Sequence, residues 1–244
     1  MTDYNQLANV YHFAKKNPVK QYSEEFTFFK SLGNIRGKSV LDLACGDGYY
    51  TRQLKLNGAS LVVGADISEK MIERARNIEN KRPSGINYTL FDVCQFKKIG
   101  SFDIVTSVYL FPYARSFNML NQMCKTIVLN LKPGGKMISV TLSPFVSNEI
   151  LDAQIYYDVE MTARNKLTDG EIIQIKIITA QGDICFENTY WSKEAYTQAL
   201  GDAGFKSIVW HKPQISKTGM QQYGKSFWHN HLSMPGFFVL ACYL

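Results

Sequence analysis

One stretch constrains the fold more than any other. Ser39-Val40-Leu41-Asp42-Leu43-Ala44 is short and nearly all apolar, stops in Cys45-Gly46-Asp47-Gly48, and gives way to a helical run, Tyr49 to Leu56, closed by Gly58. An apolar run of that length reads as a strand covered on both faces. Two glycines one residue apart allow a turn that a Cβ would obstruct, and let a ligand lie against the main chain. The rhythm then repeats. Ser60 to Asp66 is a second buried strand, and Ser68 caps a helix that places Met71, Ile72, Ala75 and Ile78 on one face before Pro83. A third strand is expected over about 86–91, a fourth over Asp103–Leu110, a helix over about 117–131 and a fifth strand over Lys136–Leu142. Strands alternating with helices build βαβ units, so an α/β, doubly wound, mostly parallel sheet is expected.

The flanks follow other rules. Residues 3–16 and 21–32 read as two helical pieces separated by Asn17-Pro18, with Tyr22, Phe26 and Phe29 forming a stripe on the second. After residue 143 the alternation breaks. Glu171–Thr179 and Asp183–Tyr190 are β-rich runs joined through Ala180-Gln181-Gly182. Ser192 caps a helix to about Ala203, ended by Gly204, and Ile208–Ile215 and Phe237–Tyr243 are two last strands, which makes seven in the main sheet. The stretch between them, 216–236, has little regular pattern and is expected to be a long functional or mobile loop.

Composition removes several classes. The 244 residues are 45% hydrophobic with a net charge of +6, and no Lys/Arg run reaches motif length, so no nucleic-acid partner is expected. No apolar stretch approaches the roughly 20 residues that span a bilayer, and the N-terminus lacks a signal-peptide layout. Five cysteines without a CxxC pair read as reduced thiols in a cytoplasmic protein, not as disulfides or a metal site. Nothing in the pattern sets an oligomeric state.

The chemistry sits at the strand ends. A dinucleotide loop would carry a third glycine where this chain has Thr51, and would not place Asp42 four residues before the first glycine. An acid there repels a diphosphate but can receive an ammonium group. Asp66 ends the second strand 18 residues beyond Gly48, where a carboxylate can accept from both hydroxyls of a ribose. Asp92-Val93 ends the third strand, within reach of an exocyclic adenine amine. Leu131-Lys132-Pro133-Gly134-Gly135-Lys136 is a helix exit and tight turn.

Taken together, DLACGDG, the acid ending the second strand, Asp92 and LKPGG resemble the class I S-adenosylmethionine-dependent methyltransferases. DLACGDGYYTR, Tyr4-x3-Ala8-x2-Tyr11 and YWSKEAYTQALGDAGF with WHKPQ are similar to the small-molecule branch, and within it to the toxoflavin-forming N-methyltransferases, which act on a pyrimidotriazine. The resemblance implies a Rossmann-like seven-stranded sheet with an N-terminal helical lid and an inserted β-rich segment. One domain over 1–244 is implied: a helical cap (1–35), a cofactor-binding half (36–143) and a substrate-side half (144–244). It implies S-adenosyl-L-methionine as cofactor. Asp42, Ala44, Gly46 and Gly48 would line its methionine end, Asp66 would take the ribose, and Ile67 and Met71 would lie beside the adenine. Asp92 and Val93 would close the adenine pocket, and Ser107, Val108 and Tyr109 would lie under the sulfonium and methyl. Tyr4, Tyr11 or Tyr22 would lid the site.

No N/D-P-P-Y motif follows the fourth strand, which sets aside adenine-N6, glutamine and exocyclic-amine nucleic-acid methylation. The expected acceptor is a small nitrogen heterocycle. The alternatives are O- or C-methylation of a carboxylate, phenol or quinone precursor, or non-catalytic binding of the cofactor. Tyr109, His211, Trp228 and His229 are the candidate catalytic groups, with His231 as a further base. Residues 203–244 contain Lys206, Lys212, Lys217 and Lys225 but no acid. Their Trp210, Tyr223, Phe227 and Trp228 are expected to stack on the acceptor.

Overall fold

The computed structural model describes residues 17–147, 150–151, 154–180 and 182–244. The helical piece expected over 3–16, with Tyr4 and Tyr11, lies outside them. In chain order, a π-helical turn, Lys20–Glu24, runs into α1 (Glu25–Leu32), followed by β1 (Ser39–Leu43), α2 (Tyr49–Leu56), β2 (Leu61–Asp66), α3 (Glu69–Lys81) and β3 (Ile86–Leu90). Then come β4 (Phe102–Val108), α4 (Phe117–Leu129), β5 (Leu131–Leu142), β6 (Val159–Ala163), β7 (Ile172–Ile177) and β8 (Ile184–Thr189). The chain closes with α5 (Lys193–Ala203), β9 (Ser207–His211), α6 (Lys217–Ser233) and β10 (Phe237–Tyr243).

Seven strands form one sheet in the order β3-β2-β1-β4-β5-β10-β9, in which β10 alone runs antiparallel to its neighbours. This is the doubly wound, mostly parallel α/β sheet that the alternation implied, in the Rossmann-like form that the resemblance implied. Val40, Ile104 and Val140 pack against Phe28, Leu32, Leu54 and Ile72 of the first three helices. Leu41, Leu43 and Val105 pack the other way, against Leu120, Met123, Tyr196 and Leu200 of α4 and α5. Both faces are therefore covered, which accounts for the almost uninterrupted apolar character of β1. The serines expected to start α3 and α5 do so, with Ser68 Oγ accepting from Met71 N–H and Ser192 Oγ from Ala195 N–H.

The inserted segment holds three strands where two were expected, in a separate antiparallel sheet ordered β6-β7-β8. Five residues, Val-Glu-Met-Thr-Ala, alternate too briefly to announce β6. One face of this sheet is polar: Lys176 Nζ lies 2.8 Å from Glu160, and Gln174 donates to Glu187 at 2.7 Å. The opposite face is apolar and turns toward the core.

The stretch 216–236 is a second correction. It is not a loop but α6, capped by Ser216 and broken at Gly224, whose φ of 77° leaves the helical region. Two glycines and the lack of an apolar stripe hid the helix, which is fixed by specific contacts instead. A Cβ at Gly219 would overlap the Tyr22 side chain, and fully buried Trp228 donates from Nε1 to the Gly219 carbonyl at 3.0 Å. His231 lies 2.8 Å from Ser23 Oγ through Nε2, and its backbone N–H donates to Tyr157 Oη at 2.9 Å. Those bonds tie α6 to the helical cap and to the turn that carries Tyr157. Among the described residues no helix is long and apolar enough to cross a membrane, and no group of side chains is arranged to hold a metal ion. The five cysteines form no disulfide.

His231 is 1% exposed, and burial pushes its pKa from 6.5 down to about 4. The unfolded chain therefore binds the proton more readily than the fold. The neutral ring's contribution is complete above pH 6.5 and is lost as pH falls toward 4, an effect of about 3 kcal/mol. Urea titrations of wild type and His231→Gln are expected to show the wild type's advantage shrinking by that amount between pH 7 and pH 4. A difference that stays constant over this range contradicts the assignment.

Candidate active site

In an open α/β sheet, successive crossovers leave a crevice where the strand order reverses, at the carboxyl ends of the strands. Here that place lies between β1 and β4. The residue after each strand takes left-handed backbone without being glycine: Ala44 at φ 55° and Tyr109 at φ 59°. Gly46 follows at φ 56°, with open space where a Cβ would stand. Two cavities meet at this point, and Tyr109 and Tyr113 line both.

The larger cavity, about 290 Å³, brings together nine of the residues expected around the cofactor, Tyr109 and eight others. Ala44, Gly46 and Val108 lie at the ends of β1 and β4, Asp66, Ile67 and Met71 at β2 and the helix after it, and Asp92 and Val93 beyond β3. Half-buried Asp66 accepts from Gly46 N–H through Oδ2 and from Ser68 N–H through Oδ1, both at 2.8 Å, so the end of β2 staples the glycine loop. Burial raises its pKa, partly offset by those N–H groups. Asp92 accepts from Cys94 N–H at 2.9 Å and caps the short turn that carries Val93. Leu43, Phe91, Leu110, Met119 and Met123 make the rest of the wall largely apolar.

Asp42, Gly48 and Ser107 stand behind that wall, contrary to expectation. Asp42 is 1% exposed and accepts from Thr51 Oγ1 at 2.7 Å and Thr106 Oγ1 at 2.9 Å, bracing α2 against β4 beneath the loop. Thr51, conspicuous as the missing third glycine, is its partner. The space beside Gly48 is filled by the Tyr88 ring, which a Cβ would overlap. Ser107 is fully buried and donates to Ser139 Oγ at 2.9 Å.

The smaller cavity, about 160 Å³, is walled by the turn before α1, by Leu142 and Phe237 of the main sheet, and by the apolar face of the small sheet. Its polar centre is Glu24, 5% exposed and marked by no local pattern. Glu24 accepts from Tyr50 Oη through Oε1 at 2.7 Å and from Tyr109 Oη through Oε2 at 2.6 Å, with Lys20 Nζ 3.5 Å away. Burial and this carboxylate hold the Tyr50 phenol well above its ordinary pKa, so it remains a donor. Asn188 and Tyr157 also line the cavity and were likewise missed. An isolated acid in Ser23-Glu24-Glu25 and an asparagine in a strand carry no local mark of function.

Of the candidate catalytic groups, only Tyr109 faces either cavity. His211 is half-buried on β9, opposite Val239, and burial lowers its pKa. Trp228 is sealed under α6, and His229 is exposed on the same helix. Trp228, His229, His231, Tyr223 and Phe227 were misplaced because they belong to α6, whereas His211 and Trp210 lie on β9. Trp210 packs on Tyr196 and Phe238, and Tyr223 on Phe227 and Trp228. Tyr22 donates to Gln222 at 2.9 Å and does not lid the site. Tyr11 lies outside the described residues.

Known proteins are similar to this chain in sequence and fold. Residues 40–135 match the family model of the methyltransferase domain. Ubiquinone biosynthesis O-methyltransferase of Coxiella burnetii is 33% identical over 128 residues, 52% of this chain and 51% of that protein. Ribosomal protein L11 methyltransferase of Burkholderia multivorans is 36% identical over 101 residues, 41% of this chain and 31% of that protein. The chain thus spans about half the length, or less, of these curated relatives. An S-adenosylmethionine-dependent methyltransferase from Mesorhizobium loti superposes with a TM-score of 0.65 at 22% identity, covering 91% of this chain and 97% of that one. The fold is that of the S-adenosylmethionine-dependent methyltransferases. The matched segment is similar to a methyltransferase domain, and the superposed structure is that of an enzyme dependent on S-adenosylmethionine as cofactor. The residues present fit that cofactor: an open, Cβ-free cradle at Gly46, a carboxylate at the rim and an apolar slot beyond it.

Burial pushes Asp42 from 3.8 up to about 6, against the pull of its two threonine hydroxyls. The fold therefore holds this proton more tightly than the unfolded chain. That contribution is present below pH 4 and lost as pH rises through 6, about 3 kcal/mol in all. Asp42→Asn is expected to gain stability relative to wild type by that amount between pH 4 and pH 7, opposite in sign to His231. Denaturant titrations in which the gap does not widen with pH contradict a buried, protonatable Asp42.

Proposed function

We propose that this chain transfers the methyl group of S-adenosylmethionine to a small, flat acceptor, a nitrogen heterocycle, bound in the smaller cavity. The observation that supports this best is the junction. A cavity suited to the cofactor and a small, mainly apolar cavity share Tyr109 and Tyr113 at the end of β4. The smaller one suits a compact ring system and not a polymer segment.

When bound, the cofactor supplies a methyl carbon activated by a positively charged sulfur. In this reading Asp66 accepts the ribose hydroxyls, and Ile67, Met71 and Val93 cover the adenine. The backbone of Ala44 and Gly46 borders the methionine end, and Tyr109 and Val108 stand next to the reacting carbon. The chain's own work is alignment and exclusion of water. Fixing both reactants in an apolar chamber can remove about 7–11 kcal/mol of barrier through proximity. Glu24 holds the Tyr109 hydroxyl in place and presents a carboxylate to the acceptor cavity. As the acceptor nitrogen or oxygen bonds to carbon it sheds a proton, and the Glu24 carboxylate takes it.

O-methylation of a phenol is a second reading, favoured by the similarity to the ubiquinone biosynthesis O-methyltransferase of Coxiella burnetii. That match covers half of the chain, and the relative named for ribosomal protein L11 shares the same kind of segment. The small sheet that walls the acceptor cavity lies outside the matched family segment, 40–135.

Incubating the protein and a cell extract with S-adenosylmethionine labelled at the methyl carbon, followed by mass spectrometry, is expected to give a labelled heterocycle with the label on nitrogen. Label on a phenolic oxygen selects the second reading, and no labelled small molecule contradicts both. Asp66→Ala is expected to weaken S-adenosylhomocysteine binding at least tenfold by calorimetry, through loss of charge-assisted hydrogen bonds. Glu24→Gln should bind it as wild type does while turnover falls about a hundredfold. Turnover that survives Glu24→Gln removes Glu24 as proton acceptor.

A further inference from the structure

The small sheet has a face of nine positions, three rungs of three across β6, β7 and β8. Eight are apolar. The ninth is Asn188, on the rung with Ala163 and Ile173 and two residues along β8 from Phe186. Asn188 is 1% exposed, yet it lines the acceptor cavity. Its side-chain oxygen has no hydrogen-bond partner among the described residues. A leucine there would complete the apolar face and remove an unsatisfied buried group, so the fold gains nothing from the carboxamide. A partner supplied by a ligand accounts for it.

We infer that Asn188 reads the acceptor, and that the acceptor carries an amide-like edge: a ring N–H beside a carbonyl, or the equivalent amidine. The inference rests on the methyl-transfer reading for what the cavity holds. A carboxamide offers an acceptor oxygen and a donor nitrogen side by side in one plane, so it pairs through two hydrogen bonds with an edge that offers the complement. A phenol engages through a single oxygen, which cannot lie in line with both ends of the carboxamide, and a carboxylate presents acceptors alone, so neither matches Asn188 as an amide-like edge does. The apolar residues around it, Met161, Ile175 and Phe186, give a flat ring its remaining surface. Asn188 is thus a specificity-determining residue: it selects a lactam- or amidine-bearing heterocycle over a hydrocarbon or phenolic ring of the same size.

Three bicyclic probes of similar size test this: quinazolin-4(3H)-one, which has the edge, quinazoline, which lacks the carbonyl and N–H, and 1-naphthol. Each is titrated by calorimetry into the full chain, with and without saturating S-adenosylhomocysteine. Wild type is expected to bind quinazolin-4(3H)-one at least tenfold more tightly than either of the others. Asn188→Leu should bind the three within about twofold of one another, bind S-adenosylhomocysteine as wild type does, and unfold at no lower temperature. Asn188→Asp, which keeps the shape and removes the donor once ionised, should also lose the preference at a pH where the acid is ionised. Equal or absent binding of quinazolin-4(3H)-one by wild type, or a preference that survives in both variants, overturns the inference. Failure of wild type to bind S-adenosylhomocysteine strikes the methyl-transfer reading instead, because the probe preference without it still reports on Asn188.

Discussion

The site depends on how β1 and β4 end. Neighbouring parallel strands whose crossovers leave on opposite faces open a crevice, but a usable one requires each chain to turn away sharply. Ala44 and Tyr109 do this in left-handed backbone, at a cost of about 1–2 kcal/mol each for residues that carry a Cβ. Fixed hydrogen bonds hold them there. Cys45 N–H donates to the Ala65 carbonyl at 3.0 Å, Tyr109 N–H to the Val140 carbonyl at 2.8 Å, and Gly46 N–H to Asp66. The first and third tie the loop after β1 to β2, and the second ties the turn after β4 to β5. Release of any of them would let the two cavities drift apart.

The buried Asp42 has a supporting part in that arrangement. A carboxylate beneath the glycine loop, bonded to Thr51 and Thr106, ties the first turn of α2 to the neighbouring strand. Its desolvation acts against stability as it ionises, and the buried neutral His231 acts in the opposite direction over nearly the same pH range. Over that range the two titrations offset each other.

The elements of the main sheet were legible because their physics is local. Apolar runs of strand length, serine caps and paired glycines each act within a few residues, and they located β1 to β5 and the place of Asp66 at the end of β2. What escaped was set by contacts distant in sequence. Glu24 meets Tyr109 across 85 positions, and nothing near Glu24 distinguishes it from Glu25. Asn188 is informative only when the register of three strands places it on an apolar face. Asp42 was seen but misassigned, since spacing cannot tell a carboxylate that faces a ligand from one that braces the loop below it. Helix α6 was missed because its glycines and mixed polarity leave no periodic stripe, and that error carried His229 and Trp228 toward the wrong side of the molecule.

The division of labour follows the same line. The segment shared with relatives of unlike acceptors builds the glycine loop and the larger cavity, whereas the cap and the small sheet wall the smaller one. The most direct measurement is a crystal structure of the protein with S-adenosylhomocysteine. The sulfur is expected in contact with Tyr109, at the mouth of the smaller cavity, with the ribose hydroxyls on Asp66. A sulfur directed away from that cavity, or a nucleoside seated elsewhere, would contradict transfer between the two chambers.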